Sequence, residues 1–157
     1  MDVLLVCSSG GHLFQLVVLK EAWGDFSRAW VTFDKSDARS LLAGERVHFA
    51  HGPTNRSFGL VAVKNLARNL ALAWRVVGAE RPRVVLTTGA GVAVPFAWVG
   101  RLRGAKVVYV ESLTRIDGPS LSCRLISPVA DRVYAQWPEL AEALPRARYV
   151  GAVFSRA

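Results

Sequence analysis

A pair of glycines followed by a histidine is the first stretch of the sequence that could do chemistry. Ser9, Gly10, Gly11 and His12 follow the apolar run of residues 3–6 after Cys7 and Ser8. Glycine amides at the start of a helix form a site for phosphate, and an imidazole just beyond them could take a proton from a hydroxyl. Two alternatives stay open. The glycines could serve only the dihedral angles of a tight turn, and His12 could be an ordinary surface residue. The stretch lacks two of the three glycines of the dinucleotide-binding fingerprint.

A second glycine turn carries Thr88 and Gly89 at the end of another apolar run. A third apolar run ends at Glu111 and is followed by Arg115. A carboxylate at the end of a buried strand is either a functional acid or the partner of a nearby cation such as Arg115, and the sequence favours neither. These three loops hold the candidate residues for a site.

Short β-branched runs alternate with longer apolar helical patterns, which is typical of parallel βαβ units. The sequence therefore predicts a single α/β domain over residues 1–157, a Rossmann-like doubly wound parallel sheet. Strands are predicted at residues 2–7, 29–33, 46–50, 83–87, 106–111, 132–136 and 148–150. Helices are predicted at residues 11–23, 36–42, 58–79, 92–102, 120–127 and 138–143. Ligands of such sheets bind beyond the carboxyl ends of the strands, where the strand order reverses.

The predicted helix 58–79 has an apolar pattern and only cations, Lys64, Arg68 and Arg75, among its charged residues. An apolar helix with a cationic polar face is typical of helices that lie in a membrane interface. The alternative is a long core helix with solvated basic residues, and the two can apply to different faces. The apolar helix 92–102, with Trp98, is a second candidate for membrane contact.

Twenty Lys and Arg against twelve Asp and Glu give a net charge of +8, which favours an anionic partner. Because the cations are dispersed, a membrane surface or a diphosphate substrate is favoured over nucleic acid, and we expect no nucleic-acid partner. No apolar run reaches the roughly 18 residues of a spanning helix, and the start lacks the features of a signal peptide. Cys7 and Cys123 are interpreted as packing residues, and no metal or cofactor is expected.

Several strings in fixed order carry a resemblance to a known family. They are SGGH at residues 9–12, VVLTTGAGV at 84–92, VVYVES at 107–112, DGPSLS at 117–122, PVAD at 128–131, YAQWPEL at 134–140 and YVG at 149–151. Together they resemble the family of the membrane-recruiting subunit of the eukaryotic dolichol-pyrophosphate-chitobiose synthase and of the bacterial exopolysaccharide proteins called PssD. Eukaryotic members begin with a membrane-spanning helix, which is not expected here.

The resemblance implies the amino-terminal half of a GT-B glycosyltransferase, similar to that of the peptidoglycan enzyme MurG. A separate polypeptide would bind the UDP-sugar, and this chain would bind a lipid-pyrophosphate-sugar acceptor from the cytoplasmic face of the membrane. It would be inactive alone. The alternatives are a recruitment module without catalytic residues and, less favoured, a basic nucleic-acid-binding domain.

Roles follow for individual residues under this resemblance. An inverting transfer needs a base, for which His12 is the first candidate and Glu111 the second. The acceptor diphosphate would be bound by Ser9, Gly10, Gly11, Thr88, Gly89 and Arg115. The partner would dock on residues 150–157, through Val150, Val153 and Phe154.

Overall fold

Seven short strands form one parallel sheet in the computed structural model, which describes residues 1–54 and 59–154. The strands are β1 (Val3–Val6), β2 (Arg28–Phe33), β3 (Val47–Ala50), β4 (Val84–Thr87), β5 (Lys106–Val110), β6 (Arg132–Ala135) and β7 (Ala147–Tyr149). Their order is β3-β2-β1-β4-β5-β6-β7, so the direction of winding reverses between β1 and β4. The predicted doubly wound sheet is confirmed, with its switch point at that pair.

Helices connect the strands in the predicted alternation. They are α1 (Gly11–Val18), α2 (Lys20–Trp23), α3 (Ser36–Leu41), α4 (Gly59–Glu80), α5 (Ala93–Leu102), α6 (Leu121–Ile126) and α7 (Pro138–Ala143). The prediction of one helix over residues 11–23 is wrong, because the backbone leaves helical geometry at Leu19. The Trp23 indole donates to the Leu16 carbonyl at 2.8 Å, across this break between α1 and α2. Phe58, the predicted start of α4, lies outside the described residues.

Helices on both faces of the sheet explain the continuously apolar strands. Leu4 and Val6 of β1 belong to the core under α4, α5 and α6, whereas Val3 and Leu5 belong to the core under α1 and α2. All four are buried. Cys7 and Cys123 are buried free thiols, as the packing interpretation expected.

Helix α4 has an arrangement that the apolar pattern did not predict. Its buried face carries Asn65 and Asn69 together with small or apolar residues of its second half. Of the two alternatives for this helix, the core helix does not hold for its outer side, where the following larger apolar residues are exposed: Leu60, Val61, Val63, Leu66, Leu70 and Trp74.

The buried asparagines of α4 hold the segment that follows β3. Asn69 accepts from the His51 amide and donates to the His51 carbonyl, both at 2.8 Å. Asn65 donates to the Pro53 carbonyl at 2.9 Å. Backbone polar groups outside regular structure need such partners when they are buried. The position of residues 51–53 therefore depends on these two amides.

Replacing Asn69 by leucine should destabilise the fold, although leucine is the more apolar residue. The change leaves the amide and carbonyl of His51 without partners, which costs about 1–3 kcal/mol. Urea unfolding measures the loss. Leu70→Ala, on the exposed side of the same helix, is the control and should change the free energy of unfolding by less than about 0.5 kcal/mol. Equal losses in the two variants would contradict the assigned role of Asn69.

Candidate functional site

The loops after β1 and β4 meet at the switch point and are joined by two hydrogen bonds. Val6 and Thr87 are partners in the register of β1 with β4, so both loops leave the sheet side by side. His12 Nδ1 lies 2.8 Å from the Thr88 carbonyl oxygen, and the Thr88 hydroxyl donates to the His12 carbonyl at 2.8 Å. The histidine is thereby fixed in position from two sides.

These contacts determine the tautomer of His12. A carbonyl oxygen only accepts, so Nδ1 must carry the proton, and Nε2 is the unprotonated nitrogen of the neutral ring. Burial lowers the pKa of His12, and the cation of Arg115 acts in the same direction, against the Thr88 hydrogen bond and the charge of Glu111. The ring is therefore neutral near pH 7, as a general base requires.

Glu111 lies behind the cleft and is fully buried. Its carboxylate accepts four hydrogen bonds, from the Tyr109 hydroxyl, the Ser112 amide, and the amide and hydroxyl of Ser120. The Ser120 hydroxyl in turn accepts from the Cys123 amide and caps α6. This geometry favours a positioning role, because Glu111 holds the start of α6 and has no exposed surface from which to reach a substrate.

A cleft of about 560 Å³ opens beside His12 at the carboxyl edge of the sheet. Among the described residues, His12 and Arg115 are the ionisable groups that line it. Seven hydroxyl-bearing residues also line it: Ser8, Ser9, Thr54, Ser112, Thr114, Ser120 and Ser122. Hydroxyls can donate to and accept from the hydroxyls of a sugar, and a guanidinium binds phosphate. The lining therefore suits a sugar that carries a phosphate group.

Gly10 and Gly89 of the two glycine turns make structural contacts that differ from the diphosphate binding expected of them. The Gly10 amide donates to the Asp37 carboxylate at 2.6 Å, and Gly11 is exposed at the rim. Gly89 is buried, has φ +103° and donates its amide to the Thr87 hydroxyl at 2.9 Å. A Cβ on Gly89 would lie 2.8 Å from the Tyr109 hydroxyl, so the position requires glycine for close approach.

Of the six residues expected to bind the diphosphate, Ser9 and Arg115 line the cleft. Thr88, like Gly89, is buried and occupied by its own hydrogen bonds. The first turn of α1 has no side-chain cap and begins at the same rim. Amides of an uncapped first turn are a suitable site for an anion, which leaves this turn as the better candidate within the glycine loop.

Four positioning residues were missed from the sequence: Asp37, Asn65, Asn69 and Ser120. The two asparagines are four residues apart on one face of an apolar helix, and that spacing could have identified them. Asp37 could not have been identified, because its contact joins the first turn of α3 to Gly10, which lies 27 residues earlier in the chain. Among the described residues, no group of His, Cys, Asp and Glu could hold a metal ion.

The expected docking strip folds back against its own domain in part. The Val153 amide donates to the Gln136 side chain at 2.8 Å, and the ring of Phe154 stacks on Phe14 of α1 at 5.7 Å. Val150 is 76% exposed. Residues 155–157 of the strip lie outside the described residues.

The expected membrane residues lie on the outer helical layer. Lys64, Arg68 and Arg75 are exposed on α4. Trp98 of α5 is partly exposed, and its indole donates to the Leu125 carbonyl at 2.9 Å. Within the described parts of the chain, no helix combines the length and the apolar character needed to cross a bilayer.

The parallel sheet with this strand order and a cleft at its switch point defines a Rossmann-like α/β fold, and that fold resembles the amino-terminal half of GT-B proteins. The chain is similar to Acinetobacter baumannii MurG, with a TM-score of 0.77 and 19% identity over 99% of this chain and 46% of that one. It is also similar to the UDP-GlcNAc 2-epimerase of Methanocaldococcus jannaschii, with a TM-score of 0.70 and 15% identity over 97% and 46%. It thus spans less than half the length of each.

The sequence profile described as "Oligosaccharide biosynthesis protein Alg14 like" matches residues 3–153, and the chain belongs to this family. Relatives named "UDP-N-acetylglucosamine transferase subunit ALG14" include one from Eremothecium gossypii, 33% identical over 96% of this chain and 79% of the relative. The Homo sapiens relative is 31% identical over 98% and 83%. The predicted family is confirmed, and the part of the resemblance that concerns PssD stays a prediction.

Glu111→Gln should destabilise the protein by about 1–3 kcal/mol. The side-chain NH2 of glutamine cannot accept a hydrogen bond, so at least one of the groups that donate to Glu111, such as the amide or hydroxyl of Ser120, would lose its acceptor. Chemical denaturation measures the change. Glu142→Gln, the same substitution at an exposed position of α7, should stay within about 0.5 kcal/mol of the parent. If Glu111→Gln is equally mild, the carboxylate does not organise the start of α6.

The pKa of His12 should lie below its ordinary value of 6.5 in a histidine NMR titration at low ionic strength. Arg115→Gln should raise this pKa, because the nearby cation disfavours the protonated ring. Glu111→Gln should lower it, provided that the variant is folded. A downward shift in Arg115→Gln would mean that the guanidinium does not face the imidazole.

Proposed function

We propose that this chain is the acceptor-binding subunit of a two-component inverting glycosyltransferase that acts in the synthesis of a lipid-linked oligosaccharide. The observation that carries the proposal is the neutral His12, oriented by Thr88, in a hydroxyl-lined cleft at the switch point. Family membership supports the transferase class, because the relatives are named as subunits of a UDP-N-acetylglucosamine transferase. UDP-N-acetylglucosamine is therefore the first donor to test.

The proposed acceptor is a sugar linked to a lipid through pyrophosphate. Its sugar would contact the serine and threonine hydroxyls of the cleft, and its phosphates would lie near Arg115 and the first turn of α1. The lining includes no carboxylate among the described residues, so no fixed negative charge of the lining opposes a diphosphate. Asp37 is the nearby acid, and its charge is directed at the Gly10 amide.

In the proposed reaction, His12 Nε2 removes the proton from an acceptor hydroxyl. The oxygen then attacks the anomeric carbon of the donor from the side opposite to UDP, which leaves with the electron pair of the broken bond. A single displacement of this kind inverts the anomeric centre. Glu111 takes no proton in this scheme and instead holds α6 and the adjoining cleft wall.

The donor is proposed to come from a separate polypeptide. The relatives are named as subunits of a UDP-N-acetylglucosamine transferase, which supports a second component. The stacked rings of Phe14 and Phe154 are each about half exposed, and Val150 is more exposed still. Exposed aromatic residues are typical anchors of protein interfaces, so we assign the docking surface to this pair together with Val150 and Val153.

The proposed site of action is the cytoplasmic face of a membrane, with the chain held peripherally by α4 and α5. Val63, Leu66, Leu70 and Trp74 recur at three- and four-residue steps and form one exposed apolar stripe. The cations at positions 64, 68 and 75 form a second stripe beside it. An apolar stripe with a cationic flank is suited to the boundary of an anionic bilayer.

His12→Asn should lower kcat of the assembled enzyme by about 10²- to 10⁴-fold with KM little changed. Asparagine can still donate to the Thr88 carbonyl, but it cannot act as a base. The assay measures sugar transfer from UDP-N-acetylglucosamine to a lipid-pyrophosphate-sugar with the partner present. His51→Asn makes the same substitution at an exposed histidine outside the cleft and should stay near the parental rate.

Full activity in His12→Asn would favour the alternative function, a recruitment module that contributes no catalytic residue. That outcome would leave the fold and the family unaffected. A loss confined to KM would instead mean that His12 only binds the acceptor.

Replacing Lys64, Arg68 and Arg75 by glutamine should weaken binding to anionic vesicles by about fivefold for each cation that faces the bilayer. Sedimentation with vesicles measures this binding. Glutamines at Arg132, Arg146 and Arg148 remove the same charge elsewhere and serve as the control, since all three arginines are exposed and lie in or next to β6 and β7. Unchanged sedimentation of the first variant would mean that the cationic stripe of α4 faces away from the membrane.

A further inference from the structure

The carboxyl-terminal end of α4, opposite the candidate site, borders another pocket, and three arginines line it. This arginine pocket has a volume of about 660 Å³ and is lined by Trp74, Val77, Arg81, Pro82, Arg83, Arg103 and Gly104. It lies at the amino edge of the sheet, because Arg83 precedes β4 and Arg103 follows α5 just before β5. The proposed sugar transfer uses none of these residues.

Arg103 is held in the arginine pocket by its packing. Its guanidinium carbon lies 4.2 Å from the centre of the Trp74 ring, a cation–π contact. Gly78 makes room for it, since a Cβ there would lie 3.1 Å from Nη1 of Arg103. A glycine weakens the interior of a helix, and here it lets the guanidinium lie flat against α4.

The positive charge of the arginine pocket is largely unpaired among the described residues. In residues 1–54 and 59–154, no carboxylate lies within 4.0 Å of the guanidinium nitrogens of Arg81 or Arg103. Arg83 has Asp2 at 3.7 Å, and its side chain is 82% exposed. Arg81 is held at φ +46°, a conformation that suits glycine better than arginine. Three guanidiniums on one pocket can bind a phosphate with several charge-assisted hydrogen bonds.

The surroundings identify the source of that phosphate. Trp74 ends the exposed apolar stripe of α4 and is 54% exposed, and Leu102, next to Arg103, is 73% exposed. A phosphate bound here would thus lie beside apolar side chains that face outward with the membrane-facing stripe. We infer that the arginine pocket binds the phosphate of an anionic glycerophospholipid, an inference that rests on the proposed membrane association.

The consequence is a second lipid contact far from the cleft. The 22 residues of α4 span about 33 Å and run from the cleft edge of the sheet to the arginine pocket. A phospholipid at one end and the lipid-linked acceptor at the other would set the direction of α4 on the bilayer. The bound phospholipid would orient the subunit without entering the reaction.

The test compares vesicles of phosphatidylcholine alone with vesicles that also contain phosphatidylglycerol. Arg103→Lys keeps the charge but loses the flat stacking and the forked donors of arginine. It should lower binding to the mixed vesicles by about threefold to fivefold and leave binding to phosphatidylcholine unchanged. Arg81→Gly combined with Arg83→Gln and Arg103→Gln should remove the preference for phosphatidylglycerol. Glutamines at Arg132, Arg146 and Arg148 remove equal charge, and this variant should keep most of the preference for phosphatidylglycerol.

Each outcome separates the two proposals. Equal loss in the two triple variants, with Arg103→Lys unaffected, would mean general charge attraction and would overturn the arginine pocket. If the parent protein binds neither kind of vesicle, the membrane proposal fails, and the inference fails with it. A parent that binds phosphatidylcholine without any preference for phosphatidylglycerol would overturn the inference alone. Soluble glycerol 3-phosphate binding as tightly as the vesicles would assign the pocket to a free phosphate ester.

Discussion

Two reciprocal hydrogen bonds between His12 and Thr88 join loops that are 76 residues apart, and the proposed chemistry depends on them. They can form only because β1 and β4 are neighbours at the reversal of strand order. The carbonyl of Thr88 fixes the proton on Nδ1, and burial keeps the ring neutral. Sheet topology therefore determines the protonation of one nitrogen. Glu111 supports the same region from behind through α6.

Helix α4 departs from an ordinary amphipathic helix, because it buries two asparagines and exposes several large apolar residues. Asn65 and Asn69 are buried where leucines would be expected, and they hold residues 51–53 beside the cleft. Larger apolar residues, including Leu66 and Trp74, face outward. The cost of exposing them is understandable if a bilayer covers that side, because lipid then replaces water. One helix thus holds residues beside the cleft on its inner face and presents on its outer face the surface proposed to contact the membrane.

The fold could be predicted from periodicity, because buried parallel strands and βα turns leave local patterns, and seven strands lie where those patterns placed them. Side-chain duties were harder to predict. The burial of Glu111 and the bond from Gly10 to Asp37 arise from contacts distant in sequence. For α4 the sequence left an interfacial helix and a core helix both open, because an apolar period does not tell which side of a helix meets the core. His12 was found because its place after the glycine pair is a local signal.

The proposed division of acceptor and donor binding between two polypeptides is tested most directly on the purified chain without a partner. It should bind a lipid-pyrophosphate-sugar analogue in calorimetry, show no binding of UDP-N-acetylglucosamine, and form no product when both are present. Adding the donor-binding polypeptide should then start the transfer. Sugar transfer by this chain alone would contradict the account, because its cleft would then serve donor and acceptor together.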